Sequence, residues 1–133
     1  MKPEEIVEKM ISKDSFSKWL NLDIISIKKG SCSLKTTITK EMTNGFNLSH
    51  GGICFSIADS CLAFAANSYG KISLTKSAEI KFIKMVNIND TITAKCHHSE
   101  FDKNNFNIDL INQNHEKIAN FIGTVHFTNK VWS

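Results

Sequence analysis

The chain has 133 residues, 41% hydrophobic and 22% charged, a composition typical of a single soluble globular domain over residues 1–133. Its net charge of +3 is spread along the chain without a basic run, which argues against nucleic-acid binding. All sixteen basic residues are lysines, so bidentate arginine contacts to phosphate are excluded.

Hydrophobic periodicity divides the chain into helices and strands. It predicts an N-terminal helix over 3–20 and, after a polar loop over 40–49, a second helix over about 51–67, capped by Asn47 or Ser49. Alternation of apolar and polar residues predicts six strands, over 23–29, 31–39, 72–82, 91–96, 105–112 and 117–128. Consecutive strands with short turns favour an α+β class, with an antiparallel sheet packed around the apolar second helix.

The cysteines and the apolar runs indicate the compartment in which the protein is expected. The four cysteines form no CxxC pair and no secretory signal precedes them, which favours a reducing, cytoplasmic setting. The apolar run 53–66 is too short to span a bilayer and contains Asp59, so no membrane segment is expected. Cys96, His97 and His98 lack an evident fourth ligand, and no metal site is predicted.

Asp59 is the most informative residue of the chain. It is the one side chain with a formal charge between Gly45 and Gly70, and its neighbours in the predicted helix are apolar. A carboxylate is costly to bury unless it is paired or used in chemistry. The alternative is a structural carboxylate that nearby backbone groups or Ser60 satisfy.

The residues around Asp59 carry a recognisable motif. It consists of Asn44-Gly45, His50-Gly51-Gly52, the helical segment 55–60 and Ala66-Asn67-Ser68 followed by Gly70. This motif resembles hotdog-fold acyl-CoA thioesterases, most closely the phenylacetic-acid-degradation (PaaI-like) branch. The resemblance covers residues 20–128 in element order and is strongest over 42–70. It implies a hotdog fold, hydrolysis of an acyl- or aryl-CoA thioester to the free acid and CoA, no cofactor, and dimers that often pair into tetramers.

The resemblance also implies roles for individual residues. Asp59 would be the general base or the nucleophile, and the backbone N–H of Gly51 would form the oxyanion hole. Asn44 and His50 would position water and the thioester. The alternatives are that Asn44 forms only a turn and that His50 only caps the helix.

Four further residues belong to the predicted site. A hydroxyl on the following strand often assists in this family, and Thr75 is the nearest match. Ser77 stays open as an alternative, because period-two alternation puts it on the same strand face. Gly52 and Lys84 are predicted to contact substrate, although relatives often carry Arg-Pro where this chain has Lys84-Met85.

The spacing of Gly51 and Asp59 has a geometric consequence. Eight residues of one straight helix span about 12 Å, so a single reacting carbonyl cannot contact both residues. A second subunit is needed to complete each site, and the sequence therefore predicts a homodimer with shared active sites.

Two other functions fit the same motif. One is a hotdog dehydratase or hydratase, in which a histidine and an acid work as a pair on the acyl chain. The other is a non-catalytic protein that binds acyl-CoA. His50 lies at the helix start, where it suits the thioester carbonyl better than the acyl chain, and this favours hydrolysis.

Overall fold

The computed structural model describes residues 1–133 with the exception of the side chain of Glu100. Its helices are α1 (Pro3–Ser12), α2 (Ser15–Trp19) and α3 (Gly51–Asn67), with a 3-10 turn at Lys40–Met42 and another at Glu100–Asp102. Its strands are β1 (Asp23–Lys28), β2 (Ser31–Thr37), β3 (Lys71–Phe82), β4 (Thr91–His97), β5 (Asn105–Ile111) and β6 (Lys117–Val131).

The six strands form one antiparallel sheet in the order β1-β2-β4-β5-β6-β3. Helix α3 packs against this sheet and contributes to the core together with the inward-facing residues of the strands. The predicted α+β arrangement of a sheet around one long helix is confirmed. Among the described residues, no helix combines the length and the hydropathy needed to cross a membrane.

The N-terminal helix predicted over 3–20 is wrong in one respect, because the structure breaks it into α1 and α2. Asp14 stands at the break, where its side chain accepts a hydrogen bond from the Ser17 N–H at 2.9 Å. An aspartate at this position satisfies an N–H that lacks a partner within the helix, and so favours a new helix start. The apolar stripe continues across the break, which is why periodicity alone missed it.

The start of α3 also differs from the prediction. His50, rather than Asn47 or Ser49, is the capping residue, and its Nδ1 accepts a hydrogen bond from the Gly52 N–H at 2.9 Å. Histidine is uncommon as a cap, so residue preferences pointed to its neighbours.

One side of α3 stays accessible, although its sequence is apolar on nearly all sides. The accessible residues recur every three or four positions, as one helix face does: Gly52, Phe55, Ser56, Asp59 and Ala63. The opposite side lies in the core, with Ile57, Cys61 and Phe64 fully or almost fully buried. The accessible stripe therefore carries the predicted catalytic carboxylate.

A β-bulge in β3 changes which side chains share a face. Thr75 pairs with Val125 of β6 but Ser77 pairs with the adjacent Thr124, so Lys76 is an extra residue in the strand. Val125 is buried, and paired residues point to the same side of a sheet, so Thr75 faces α3 while Ser77 faces away. The prediction that Thr75 and Ser77 share a face is wrong.

Candidate active site

Asp59 and Thr75 are in direct contact. The Thr75 hydroxyl Oγ1 donates a hydrogen bond to Asp59 Oδ1 at 2.9 Å. Asp59 lies in the middle of α3, and Thr75 lies on β3 just before the bulge with its side chain facing the helix. A hydroxyl bound to one carboxylate oxygen fixes the orientation of the carboxylate and leaves the second oxygen for a substrate or a water molecule. We call this pair the acid half-site.

Ser60 does not satisfy Asp59, contrary to the structural alternative. The Ser60 hydroxyl is 3.1 Å from that of Ser17, which itself donates to Asp14 at 2.6 Å. This short chain of polar groups joins α3 to α2. Asp59 remains half-buried at the edge of a cavity of about 800 Å³, whose wall also includes Thr75. A carboxylate in this position is accessible to a ligand.

The loop before α3 is organised by Asn44. Its Oδ1 accepts hydrogen bonds from the N–H groups of Phe46, at 2.9 Å, and Leu48, at 3.3 Å. Asn47 adopts a positive φ of 60°, which asparagine tolerates better than most residues. The turn predicted as an alternative for Asn44 is thus present. Because the side-chain oxygen of Asn44 already accepts these two hydrogen bonds, only the side-chain N–H groups of Asn44 can donate to a substrate.

The N-terminus of α3 presents a backbone donor at Gly51. Gly51 is the first helical residue, and the N–H groups of a first turn have no partner within the helix. The next N–H, that of Gly52, is occupied by the His50 cap. The Phe82 ring lies over Gly51, since a Cβ built there would be 3.2 Å from Phe82 Cζ. The Gly51 N–H is therefore available to donate a hydrogen bond to an anionic oxygen, and the helix dipole favours negative charge at this position.

Asn44, Gly51 and Lys84 line a second, smaller cavity of about 330 Å³. We call Asn44, His50 and Gly51 the donor half-site. The Lys84 ammonium forms an exposed ion pair with Glu116, and the hydrogen bond from Lys84, followed by that from Asn112, lowers the pKa of the Glu116 carboxyl. Lys84 thus lines the same cavity as Gly51, and its ammonium is already paired within the chain.

The acid and donor half-sites do not meet within one chain. They line separate cavities, and Gly51 and Asp59 are eight residues apart on α3, which corresponds to about 12 Å. The fold brings Thr75 to Asp59 and Asn44 to Gly51, as predicted. It leaves Ser77 on the other face of β3, exposed and apart from both half-sites.

The cysteines are buried and lie outside both half-sites, apart from Cys54, which borders the donor half-site cavity. Burial raises the pKa of Cys54, and burial followed by the neighbouring Cys32 raises the pKa of Cys96 to about 12. Thiols with such pKa values stay protonated and are poor nucleophiles. In the described part of the chain, no group of three or more His, Cys, Asp or Glu side chains is placed to hold a metal ion.

Sequence reasoning missed two features of this region. One is the Phe82 ring over Gly51, and the other is the wall of the larger cavity, which includes Trp132 near the end of the chain. Trp132 is more than seventy positions from Asp59, and no local pattern connects them. The small residue Ala63, four positions after Asp59, was the available signal that space is left beside the carboxylate.

Comparisons with known proteins identify the family and the fold of the chain. The chain matches the thioesterase superfamily over residues 46–111. It is 34% identical over 119 residues to the Escherichia coli acyl-coenzyme A thioesterase PaaI, which covers 88% of this chain and 85% of that relative. The structure matches that of the E. coli PaaI protein from the phenylacetic acid degradation operon with a TM-score of 0.90 and 30% identity, covering 98% of this chain and 96% of that one.

A more distant structure shares the fold. It is a Streptococcus mutans protein bound to acetyl CoA, with a TM-score of 0.77 and 23% identity, and the match covers 84% of this chain and 92% of that one. The family that the motif indicates and the fold that it implies are both confirmed.

Proposed function

The chain belongs to the thioesterase superfamily and is an acyl-CoA thioesterase, and from this premise we propose that each of its active sites is built by two subunits. In this arrangement, the acid half-site of one subunit faces the donor half-site of the other. The observation that carries the proposal is the separation of the two half-sites on α3, which places Asp59 and Gly51 in different cavities. A thioester carbonyl needs both within about 3 Å.

Asp59 supplies the basic group of the reaction. Its Thr75-bound carboxylate either takes a proton from the attacking water or attacks the thioester carbonyl itself, and the site geometry is compatible with both routes. Hydrolysis breaks the bond between the carbonyl carbon and sulfur, and the products are the free acid and CoA. The chain's own residues suffice for this chemistry, and we propose that no metal or organic cofactor takes part.

The Gly51 N–H stabilises the negative charge that develops on the carbonyl oxygen. A backbone donor at a helix N-terminus is preorganised, so no reorganisation is needed when the charge forms. Asn44 holds the preceding loop and offers its amide N–H groups to the thioester. His50 acts as a positioning residue, because its cap engages the Gly52 N–H and fixes the first turn.

Strand β3 supports the pairing of two subunits. It is a twelve-residue strand at the edge of the sheet, and long unpaired edges favour association with another strand. Large apolar side chains are exposed on it and just beyond it, with Leu74 at 63%, Phe82 at 59% and Met85 at 71%. We propose that two copies join along β3 and the accessible stripe of α3, since exposed apolar patches of this kind mark interaction surfaces. Pairing of such dimers into tetramers and a cytoplasmic location belong to the same proposal.

The dehydratase alternative is less well supported by the geometry. A histidine that takes a proton from the acyl chain needs a nitrogen lone pair directed at the substrate. In His50 the Nδ1 lone pair accepts the Gly52 N–H, so in the neutral ring Nε2 carries the proton. The ring can donate at Nε2, and it has no second lone pair with which to act as a base.

A mixed dimer tests the shared site. We would purify heterodimers, with a different tag on each subunit, of the Asn44→Ala and Asp59→Asn variants. If the site is shared, one site of the heterodimer carries both defects and the other carries neither. The expected activity is about half that of the wild-type dimer, by counting sites in a two-fold assembly.

The parent homodimers, mixed without exchange of subunits, are the control. If each site came from one subunit, every site of the heterodimer would carry one defect, and its activity would stay at the level of the parents. Such a result in a verified heterodimer would exclude the shared site. It would not contradict the assignment of the chain as a thioesterase.

A further inference from the structure

The cavity beside Asp59 extends along α3 toward its C-terminus. Asp59, Ala63 and Asn67 are four residues apart, so they lie on one side of the helix, and all three line this cavity. Each step of four residues advances about 6 Å, which gives about 12 Å from the carboxylate to Asn67. The cavity therefore starts at the reacting group and runs away from it.

Ala63 keeps the middle of this path open. It is the residue of α3 between the carboxylate and Asn67 on this side, and its side chain is a single methyl group. Met10 of α1 and Trp132 near the end of the chain line the same cavity and add apolar surface. A path with these walls suits a hydrocarbon group.

Trp132 stands at the far end beside Asn67. Its indole Nε1 donates a hydrogen bond to Asn67 Oδ1 at 2.9 Å, and its backbone N–H donates to the Gly70 carbonyl at 2.9 Å. Asn67 is only 2% exposed and also accepts the Ser73 N–H at 3.0 Å. Two hydrogen bonds thus fix Trp132, and since its one polar group is engaged, the rest of the ring meets the cavity as apolar surface.

The charged side chains that line this cavity balance one another. Lys9 and Lys13 are positive, and Asp14 and Asp59 are negative. The Lys9 ammonium donates to the Ser133 carbonyl, and the Asp14 carboxylate is bound at the start of α2. No excess of either sign is directed at a ligand, so the cavity does not favour a charged acyl group.

We propose that this cavity binds the acyl group of the substrate, and that Ala63 and Trp132 determine which acyl groups fit. The ligand class is an uncharged, apolar acyl group that reaches up to about 12 Å from the thioester carbonyl. The inference rests on the proposed function, because Asp59 marks the position of the carbonyl. Ala63 sets the width of the path, and Trp132 sets its length.

Two substitutions test these roles, with kcat/KM measured on butyryl-, decanoyl- and hexadecanoyl-CoA. Ala63→Leu narrows the path, and we expect the ratio of kcat/KM for decanoyl-CoA to that for butyryl-CoA to fall about tenfold or more, since single methylene groups change such ratios about 10–200-fold. Trp132→Ala lengthens the path, and we expect the hexadecanoyl-to-decanoyl ratio to rise by a similar factor. Leucine is a good helix former, so Ala63→Leu is compatible with α3.

Trp19→Ala is the matched control. Trp19 is the other tryptophan of the chain, is half exposed on α2 and does not line this cavity. Its replacement should leave both ratios unchanged. If Trp132→Ala does not fold, Trp132→Phe replaces it, because phenylalanine retains a ring without the N–H. The Ala63→Leu result decides the proposal in either case.

The two ways to fail are distinguishable. If wild-type protein hydrolyses acyl-CoAs and Ala63→Leu leaves the decanoyl-to-butyryl ratio unchanged, the acyl group lies elsewhere and the inference is overturned while the proposed function stands. If wild-type protein hydrolyses none of the three substrates, the proposed function itself fails.

Discussion

The acid and donor half-sites differ in what they are made of. The acid half-site is a contact between two side chains, Asp59 and Thr75, from a helix and a strand. The donor half-site centres on the backbone N–H of Gly51, which the helix start and the Asn44 loop hold in place. The acid half-site can be removed by substitution of a side chain, whereas the donor half-site depends on the conformation of the backbone.

This difference sets how each half can be tested. Substitution of Asp59 or Thr75 deletes a functional group directly. Most substitutions at Gly51 keep the N–H and add only bulk. Proline alone removes a backbone N–H, and the first helical position is where proline is best tolerated.

The largest effect is expected for Asp59→Asn. The amide keeps the shape of the carboxylate and can still accept the Thr75 hydrogen bond, but it has lost the basicity that activates water or attacks the thioester. We expect kcat to fall about 10²–10⁴-fold, which is typical for loss of a general base. The measurement is thiol release from acyl-CoA together with thermal unfolding.

Asp23→Asn is the matched control, because Asp23 is an exposed aspartate on β1, at the opposite edge of the sheet from β3. It should retain wild-type turnover. Near-normal turnover in a well-folded Asp59→Asn protein would remove Asp59 from the mechanism.

The next largest effect tests the donor half-site through Gly51→Pro. His50 precedes Gly51 with φ −61° and ψ 138°, an extended conformation that a following proline favours. The variant removes the N–H but is compatible with the helix, and we expect kcat to fall about 10²–10³-fold, as for loss of one oxyanion donor.

Gly51→Ala is the control that separates the donor from bulk. It adds a Cβ about as close to Phe82 as proline would, at 3.2 Å from Cζ, and keeps the N–H. Phe82 is 59% exposed and has room to move. Equal losses in the alanine and proline variants would show that crowding, and not the N–H, causes the defect.

The donor half-site was predictable because its parts are close in the sequence. Asn44, His50 and Gly51 lie within eight positions, and the apolar periodicity fixes the start of α3 just after them. Asp59 was predictable as the single charge in an apolar helix. The strands were predictable from alternation, with ends that differ by a few residues at most.

The features that could not be predicted depend on contacts between residues that are distant in sequence, or on single residues that depart from the local pattern. The bulge at Lys76 interrupts the alternation, and its consequence appears only when β3 is paired with β6. The cap by His50 rests on a hydrogen bond that residue preferences do not reveal, and the break at Asp14 is hidden by the apolar stripe that continues across it. In the sequence, Lys76 interrupts the apolar row formed by Ile72, Leu74, Ala78 and Ile80, and this interruption was the visible sign of the bulge.

The bulge leads to a third prediction, of intermediate size, for the acid half-site. Thr75→Val removes the hydroxyl that orients Asp59 and keeps the side-chain shape. A hydrogen bond to a charged group contributes about 1.5–3 kcal/mol, so a loss of about 10- to 150-fold in kcat/KM is expected. Ser77→Ala, on the opposite face of β3, should change kcat/KM less than twofold. The reverse ranking of the two variants would contradict the assignment of Thr75.

The smallest effect concerns His50 and separates its structural role from a chemical one. His50→Ala removes the cap on the Gly52 N–H, and loss of a cap costs about 1 kcal/mol, or about 4 °C in the unfolding temperature. His50→Asn provides a good cap without an imidazole, so it should restore the unfolding temperature. If His50 only positions the first turn of α3, the asparagine variant also recovers most of the wild-type kcat, because the Gly51 N–H is again held in place. A stable His50→Asn protein whose kcat remains as low as that of Asp59→Asn would instead make the imidazole part of the chemistry, and the donor half-site would then depend on a side chain as the acid half-site does.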